Sequence, residues 1–180
     1  MRLVCVRHTA VAVPQGVCYG RTDVPLAAGF EQAAPVIGRR LRGYALDSEV
    51  AVYTSPLSRC TRLADYCGYP HAVRDSRLME MDFGTWEMRP WRSIDDPALT
   101  AWFQDWLHLP TAAGDSFPAM LSRVESFVEE LLYKKSWQAL LFTHGGVIAC
   151  LRVLSGGYDP REAFRDLPTC GSIVEIEIGG

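Results

Sequence analysis

Three short apolar runs, LVCV at 3–6, VAVY at 50–53 and ALLF at 139–142, each give way at once to a polar cluster: RHT, TSPLSR and THGG. Runs this short and continuous read as strands buried on both faces. A fourth run, IVEIEI at 173–178, also reads as a strand. Helical patterns fill the intervals, and strands alternating with helices predict an α/β fold with a mainly parallel sheet. In such sheets ligands bind beyond the carboxyl ends of the strands, where loops lead into helix N-termini. All three polar clusters fall at such exits.

The helices carry recognisable ends. SPLSRCTRLADYCG places Ser55 at an N-cap, Pro56 at the first helical position and Gly68 at the stop. DSFPAMLSRVESFVEELLYKK repeats apolar residues at Phe117, Met120, Leu121, Val124, Phe127, Val128, Leu131 and Leu132, which predicts a helix with one buried face. GGVIACLRVL follows the third strand and reads as a largely buried helix. GFEQAAPVIGRRLRG is interrupted by Pro35 and Gly38 and is expected to be kinked or shortened.

At 180 residues the chain is expected to be one domain with a full core. Its net charge is −3 and it has no basic run longer than a pair, too weak a positive field for a nucleic-acid or membrane-surface binder. No segment approaches the ~18 apolar residues of a membrane span, and the start MRLVCVRH lacks a signal peptide's apolar region, so a cytoplasmic location is expected. The six cysteines are scattered without a CxxC pair, which argues against a zinc ribbon or a disulfide framework.

The three exits together bring His8, His144, Arg7 and Arg59 to one rim. Two arginines are costly to hold close together unless an anion neutralises them, and guanidinium forks match phosphate oxygens. The THGG turn, with Gly145, adds free backbone N–H groups and the positive end of a helix dipole. A phosphoryl group is the expected guest, and a neutral imidazole facing it can act as nucleophile. No Walker motif or GxGxxG loop is present, and no carboxylate cluster offers to hold a metal. The leaving oxygen needs a proton, for which RLMEMDFGTWEMRPW supplies Glu80, Asp82 and Glu87. The residues alone do not rank these three.

VRHT, SPLSR, LMEMDFGTWE and THGGV, in that order over nearly the whole chain, resemble the histidine phosphatase superfamily in the branch containing the phosphoglycerate mutases. That resemblance implies a three-layer α/β/α sandwich with a mainly parallel central sheet, a phosphohistidine intermediate on His8, and Arg7, Arg59 and His144 as a phosphate clamp. It also ranks Glu80 first, as general acid and then base, and implies chemistry that uses neither metal nor cofactor. CYGRTDVPL, FGTWEMRPW and WFQDWLHLPTAAGDSF look most like the alpha-ribazole phosphatases, which remove the 5'-phosphate of alpha-ribazole phosphate in cobalamin nucleotide-loop assembly. A broad-specificity phosphatase or a phosphoglycerate mutase-like enzyme is the alternative. A silent phospholigand-binding module would have lost His8, Glu80 or an arginine, and none is missing.

The chain departs from the family pattern at Thr9, where glycine is common next to the nucleophile. Thr9 either turns its side chain away or adds its hydroxyl to substrate binding. Gly20, Arg21 and Thr22 stand where relatives bring a loop over the site and are expected to bind substrate. Trp86, Trp91, Trp102 and Trp106 form either a satellite hydrophobic cluster or a cap, residues 83–115, whose rings stack on an apolar heterocyclic leaving group, with Trp86 nearest Glu80. The expected partner is a small phosphomonoester.

Overall fold

A computed structural model of the chain describes residues 1–179. In chain order its elements are β1 (Arg2–Arg7), α1 (Phe30–Leu41), β2 (Ala51–Thr54), α2 (Ser58–Tyr66), β3 (Val73–Arg74), α3 (Pro97–Asp105), α4 (Phe117–Tyr133), β4 (Gln138–Thr143), α5 (Gly145–Leu154), α6 (Pro160–Arg165) and β5 (Ile173–Glu177). The strands form one sheet in the order β3-β2-β4-β1-β5. Every pairing is parallel except that of β5 with β1.

Because successive side chains on a strand point to opposite faces, β1 and β4 each feed two cores. Leu3, Cys5, Ala139 and Leu141 pack against Val124, Phe127 and Leu131 of α4 and Ile148 and Leu151 of α5. Val4, Val6, Leu140 and Phe142 pack on the other side, against Ala34 and Ile37 of α1 and Leu63 of α2. This gives the three-layer α/β/α sandwich expected. It also explains why these two runs are apolar throughout: β4 is buried along its whole length and β1 from Leu3 to Val6. At the sheet's edge, β5 sends Ile173 to one core and Ile176 to the other, and exposes Glu175 and Glu177.

Two helix expectations are corrected. The first is α1, which runs unbroken through Pro35 and Gly38 because Phe30, Ala34, Ile37 and Leu41 form one buried face that outweighs the missing N–H. The second is α2, which begins at Ser58, and Ser55 is not its cap. Instead Asp23, from a distant loop, accepts from both Ser58 N and Ser58 Oγ at 2.8 Å. Ser55 is thereby left for the site. By contrast α4 starts as its sequence suggests, with Ser116 Oγ accepting from Ala119 N at 3.2 Å.

Candidate active site

The carboxyl ends of β1, β2 and β4 bring Arg7 and His8, Ser55, and His144 together. The backbone at His8 is held from both sides: His8 N donates to Thr143 O at 3.0 Å, and Gly171 N donates to His8 O at 3.0 Å. The imidazole is buried, with Nδ1 2.7 Å from Thr9 O. A carbonyl oxygen can only accept, so Nδ1 carries the proton and Nε2 keeps its lone pair. Among the described residues none hydrogen-bonds to Nε2. Burial, helped by the charges of Arg59 and Arg7 and opposed by the bond to Thr9 O, brings the pKa of His8 down to about 3, so the ring is neutral near pH 7.

His144 is the N-cap residue of α5 and is fully buried, its ring centroid 5.2 Å from that of His8. Arg59 Nε donates to His144 Nδ1 at 3.3 Å, which leaves Nε2 as the protonated nitrogen facing Ser55 Oγ at 2.8 Å. Burial and the neighbouring Arg59 hold His144 far below the usual imidazole range. Arg59 has no exposed surface; it donates to Thr22 O at 2.9 Å and also to Gly20 O. The structure thus brings His144 next to His8 and Arg59 next to His144, with Arg59's N–H groups turned to protein acceptors.

Glu80 lies against the start of α5. Its Oε1 accepts from Met81 N at 3.1 Å and its Oε2 from Gly146 N at 3.2 Å, while Arg123 of α4 donates to its carbonyl at 3.1 Å. The two glycines that open α5 have separate uses. A Cβ on Gly145 would meet the Arg7 guanidinium at 3.0 Å, and one on Gly146 would meet Glu80 Oε1 at 2.3 Å. Arg7 donates to Pro168 O, and its Nε is buried without a partner among the described residues.

Arg7, His8, Glu80 and Gly146 line a cavity of about 620 Å³ whose walls are mainly apolar: Phe83, Trp91, Trp102, Phe103, Trp106 and Phe164. Trp91 and Trp102 lie parallel with centroids 6.5 Å apart, and Phe83 meets both edge-on. Most of this wall comes from the 83–115 segment. Trp86 does not line the cavity. It is fully buried in a satellite core with Cys18, Ile94 and Leu99, and its Nε1 donates to Asp96 Oδ2 at 2.8 Å. The tryptophans thus divide: Trp86 belongs to the satellite core, whereas Trp91, Trp102 and Trp106 line the cavity.

Gly20, Arg21 and Thr22 also lie off the cavity wall. The backbone amides of Arg21, Thr22 and Phe83 donate to the Glu87 carboxylate at 2.6–3.0 Å, and the Thr22 hydroxyl donates to it as well. These bonds draw Glu87 below its ordinary pKa against the cost of burial. Arg21 reaches Asp82 and Asp115, each at 3.4 Å. A Cβ on Gly20 would lie 1.9 Å from Met81 O, so only glycine allows this loop to close on the 81–87 segment. The neighbours Val17 and Tyr19 are the loop residues that do reach the cavity. Thr9 is buried, and its Oγ1 has no partner among the described residues.

Ser55, Arg123, Tyr19 and the α6 arginines escape the sequence reading of the site. For α6 a signal exists: Asp159 before Pro160 marks a helix start, and Asp159 Oδ1 accepts from Arg161 N at 2.8 Å. Among the described residues no group of three or more His, Cys, Asp or Glu side chains could hold a metal ion, and no helix is long and apolar enough to cross a membrane.

The profile of the histidine phosphatase superfamily (branch 1) matches residues 3–180. An adenosylcobalamin/alpha-ribazole phosphatase of Escherichia coli K12 is 33% identical over 188 aligned residues, covering 98% of this chain and 90% of that protein. Among solved structures, the alpha-ribazole phosphatase from Shigella flexneri superposes with a TM-score of 0.84 at 27% identity, covering 99% of this chain and 91% of that one. A phosphoglycerate mutase from Thermus thermophilus gives 0.76 at 32% identity, covering 98% and 93%.

Proposed function

The chain belongs to the histidine phosphatase superfamily and is a phosphatase acting on small phosphorylated molecules; we propose that it hydrolyses alpha-ribazole 5'-phosphate to alpha-ribazole and phosphate through a phosphohistidine at His8, serving assembly of the cobalamin nucleotide loop. The observation that carries this reading is the His8 tautomer: an unprotonated Nε2, free of protein partners among the described residues, in a cavity shared with Arg7 and Glu80.

In the first step Nε2 forms a bond to phosphorus and the bond to the ribose oxygen breaks. The Nδ1–H bond to Thr9 O strengthens as the ring becomes cationic, so the carbonyl stabilises the intermediate. Glu80 gives its proton to the leaving oxygen, and its carboxylate then takes one from the water that attacks phosphorus and breaks the P–N bond. Arg7, whose buried Nε has no partner among the described residues, binds the phosphoryl oxygens in this reading. Arg59 and His144 complete the clamp, and the fixed guanidinium charge favours the developing anion. The Thr9 hydroxyl, buried and without a partner among the described residues, is a further donor in this reading. Gly20, Arg21 and Thr22 act on substrate through the loop that carries Tyr19, and Trp86 acts by supporting the cap.

The leaving group is read from the wall. Seven aromatic rings, Tyr19 included, suit a flat heterocycle such as dimethylbenzimidazole, whereas 3-phosphoglycerate would leave them unfilled. The test is a phosphate-release screen of alpha-ribazole phosphate against 3-phosphoglycerate, sugar phosphates and nucleotides. A kcat/KM for alpha-ribazole phosphate at least ~10-fold above the others, the value of one well-filled apolar contact, is expected. Equal values across the set would replace this reading with a broad-specificity phosphatase.

A further inference from the structure

Thr143 is a polar residue at a position where its strand needs an apolar one. It is in phase with Ala139 and Leu141, on the face of β4 that packs against α4 and α5, and it has no exposed surface. Valine has the same shape and suits a buried strand as well, so the hydroxyl requires a reason. Thr143 Oγ1 donates to Leu78 O at 2.9 Å, while Thr143 O accepts from His8 N at 3.0 Å. One residue is thus bonded both to the backbone of His8 and to the segment that carries Glu80.

That segment has little regular structure of its own. A single 3-10 turn, Ser76–Leu78, ends just before Met79, whose backbone is extended, and Glu80 follows outside any helix or strand. Side chains from two neighbouring elements hold its carbonyls instead. Arg123 of α4 donates to Arg77 O at 2.6 Å and to Glu80 O at 3.1 Å, and Thr143 of β4 takes Leu78 O between them. Of the two amides that bind the Glu80 carboxylate, Met81 N belongs to the same segment and moves with it.

We propose that Thr143 is a positioning residue whose hydroxyl fixes where Glu80 stands relative to His8. This rests on the reading of His8 as nucleophile and Glu80 as acid. Without the hydroxyl, Leu78 O is buried with its donor gone and the segment shifts to find another. A misplacement of about 1 Å between reacting groups costs on the order of 100-fold. Arg123 and Gly146 N still restrain Glu80, so the loss is smaller than that.

The test measures kcat/KM, which reports the first chemical step, for the fastest alkyl phosphate of the screen above and for p-nitrophenyl phosphate. Thr143→Val keeps the shape and removes the bond; it should lower the alkyl phosphate value about 10-fold and the p-nitrophenyl phosphate value less, since only the former needs the acid. Thr143→Ala should show the same split, and Thr143→Ser, which keeps the donor, should recover most of the loss. Placed in a chain that already carries Glu80→Gln, Thr143→Val should add less than about 2-fold, because the two changes remove one interaction. Equal losses on both substrates, a full loss in the Glu80→Gln chain, or no recovery by serine would each overturn the proposal. Glu80→Gln alone scores the acid reading: no split there ends that reading and this one together, whereas a split there but not in Thr143→Val ends only this one.

Discussion

Gly146 N donates to Glu80 Oε2 at 3.2 Å, and a methyl group on the same glycine would come within 2.3 Å of Oε1. The carboxylate is held by a residue whose own side chain, if added, would push it aside. Gly146→Ala should displace Glu80 and slow alkyl phosphates by about 100-fold, the usual worth of a positioned acid, with a smaller loss on p-nitrophenyl phosphate, whose leaving group scarcely needs a proton. Glu80→Gln should show the same split. Equal losses on both substrates in steady-state assays would remove Glu80 from the role of acid.

His8→Ala should reduce phosphate release to the rate in buffer. In rapidly quenched wild-type protein, labelled phosphate should remain attached in alkali and be lost in acid, as a phosphoramidate bond requires. Undiminished turnover by the variant would end the covalent mechanism.

The two buried imidazoles link stability to pH. Both are neutral when folded, whereas an unfolded histidine takes up a proton below about 6.5. The unfolded state therefore binds more protons as pH falls, and stability drops from about 6.5 downward until His8 itself protonates near 3. Glu87 and Asp75, held below the usual carboxylate range, add to the loss only below about 4. Urea midpoints should decline between pH 7.5 and 5, while the ring signals of His8 and His144 stay unchanged by NMR. A His8 signal titrating near 6.5 would contradict the neutral, Nδ1-protonated ring.

Glu87 joins the Gly20–Thr22 loop to Phe83 through three backbone amides and a hydroxyl. Glu87→Ala leaves those donors without their acceptor and should cost about 2–4 kcal/mol, read as a lower urea midpoint. Activity should fall too, because Thr22 O and Gly20 O hold Arg59. A midpoint equal to wild type would show that water replaces the carboxylate at no cost.

What the sequence makes legible follows the strength of its periodic signals. The central strands are readable because both faces are buried, and α4 because its apolar stripe runs for several turns. By contrast β3 spans only Val73 and Arg74, both exposed, and leaves no pattern. The helices α3 and α6 are announced by Asp-Pro pairs, Asp96-Pro97 and Asp159-Pro160, but their short lengths carry little periodicity. Within the site, residue type and strand position indicate that Arg7, His8, Arg59 and His144 meet, whereas Glu80 is separated from Asp82 and Glu87 only by the family resemblance. Ser55 reads as a cap because Ser-Pro before a helix is a strong local signal, and only the tertiary contact with His144 outcompetes it. The loop Gly20–Thr22 reads as a substrate loop because linear sequence does not reveal that Glu87 claims its donors.

The two hydrogen bonds that fix the His8 backbone come from the far end of the sequence. His8 leaves the ribosome long before the residues that fix its backbone, Thr143 of β4 and Gly171, just ahead of β5. Until those arrive the nascent chain carries a surface-accessible imidazole with no assembled pocket around it, ordinary in basicity and unable to capture phosphate. The backbone geometry of the nucleophile is therefore complete only once β4 and the turn before β5 have docked on the first strand.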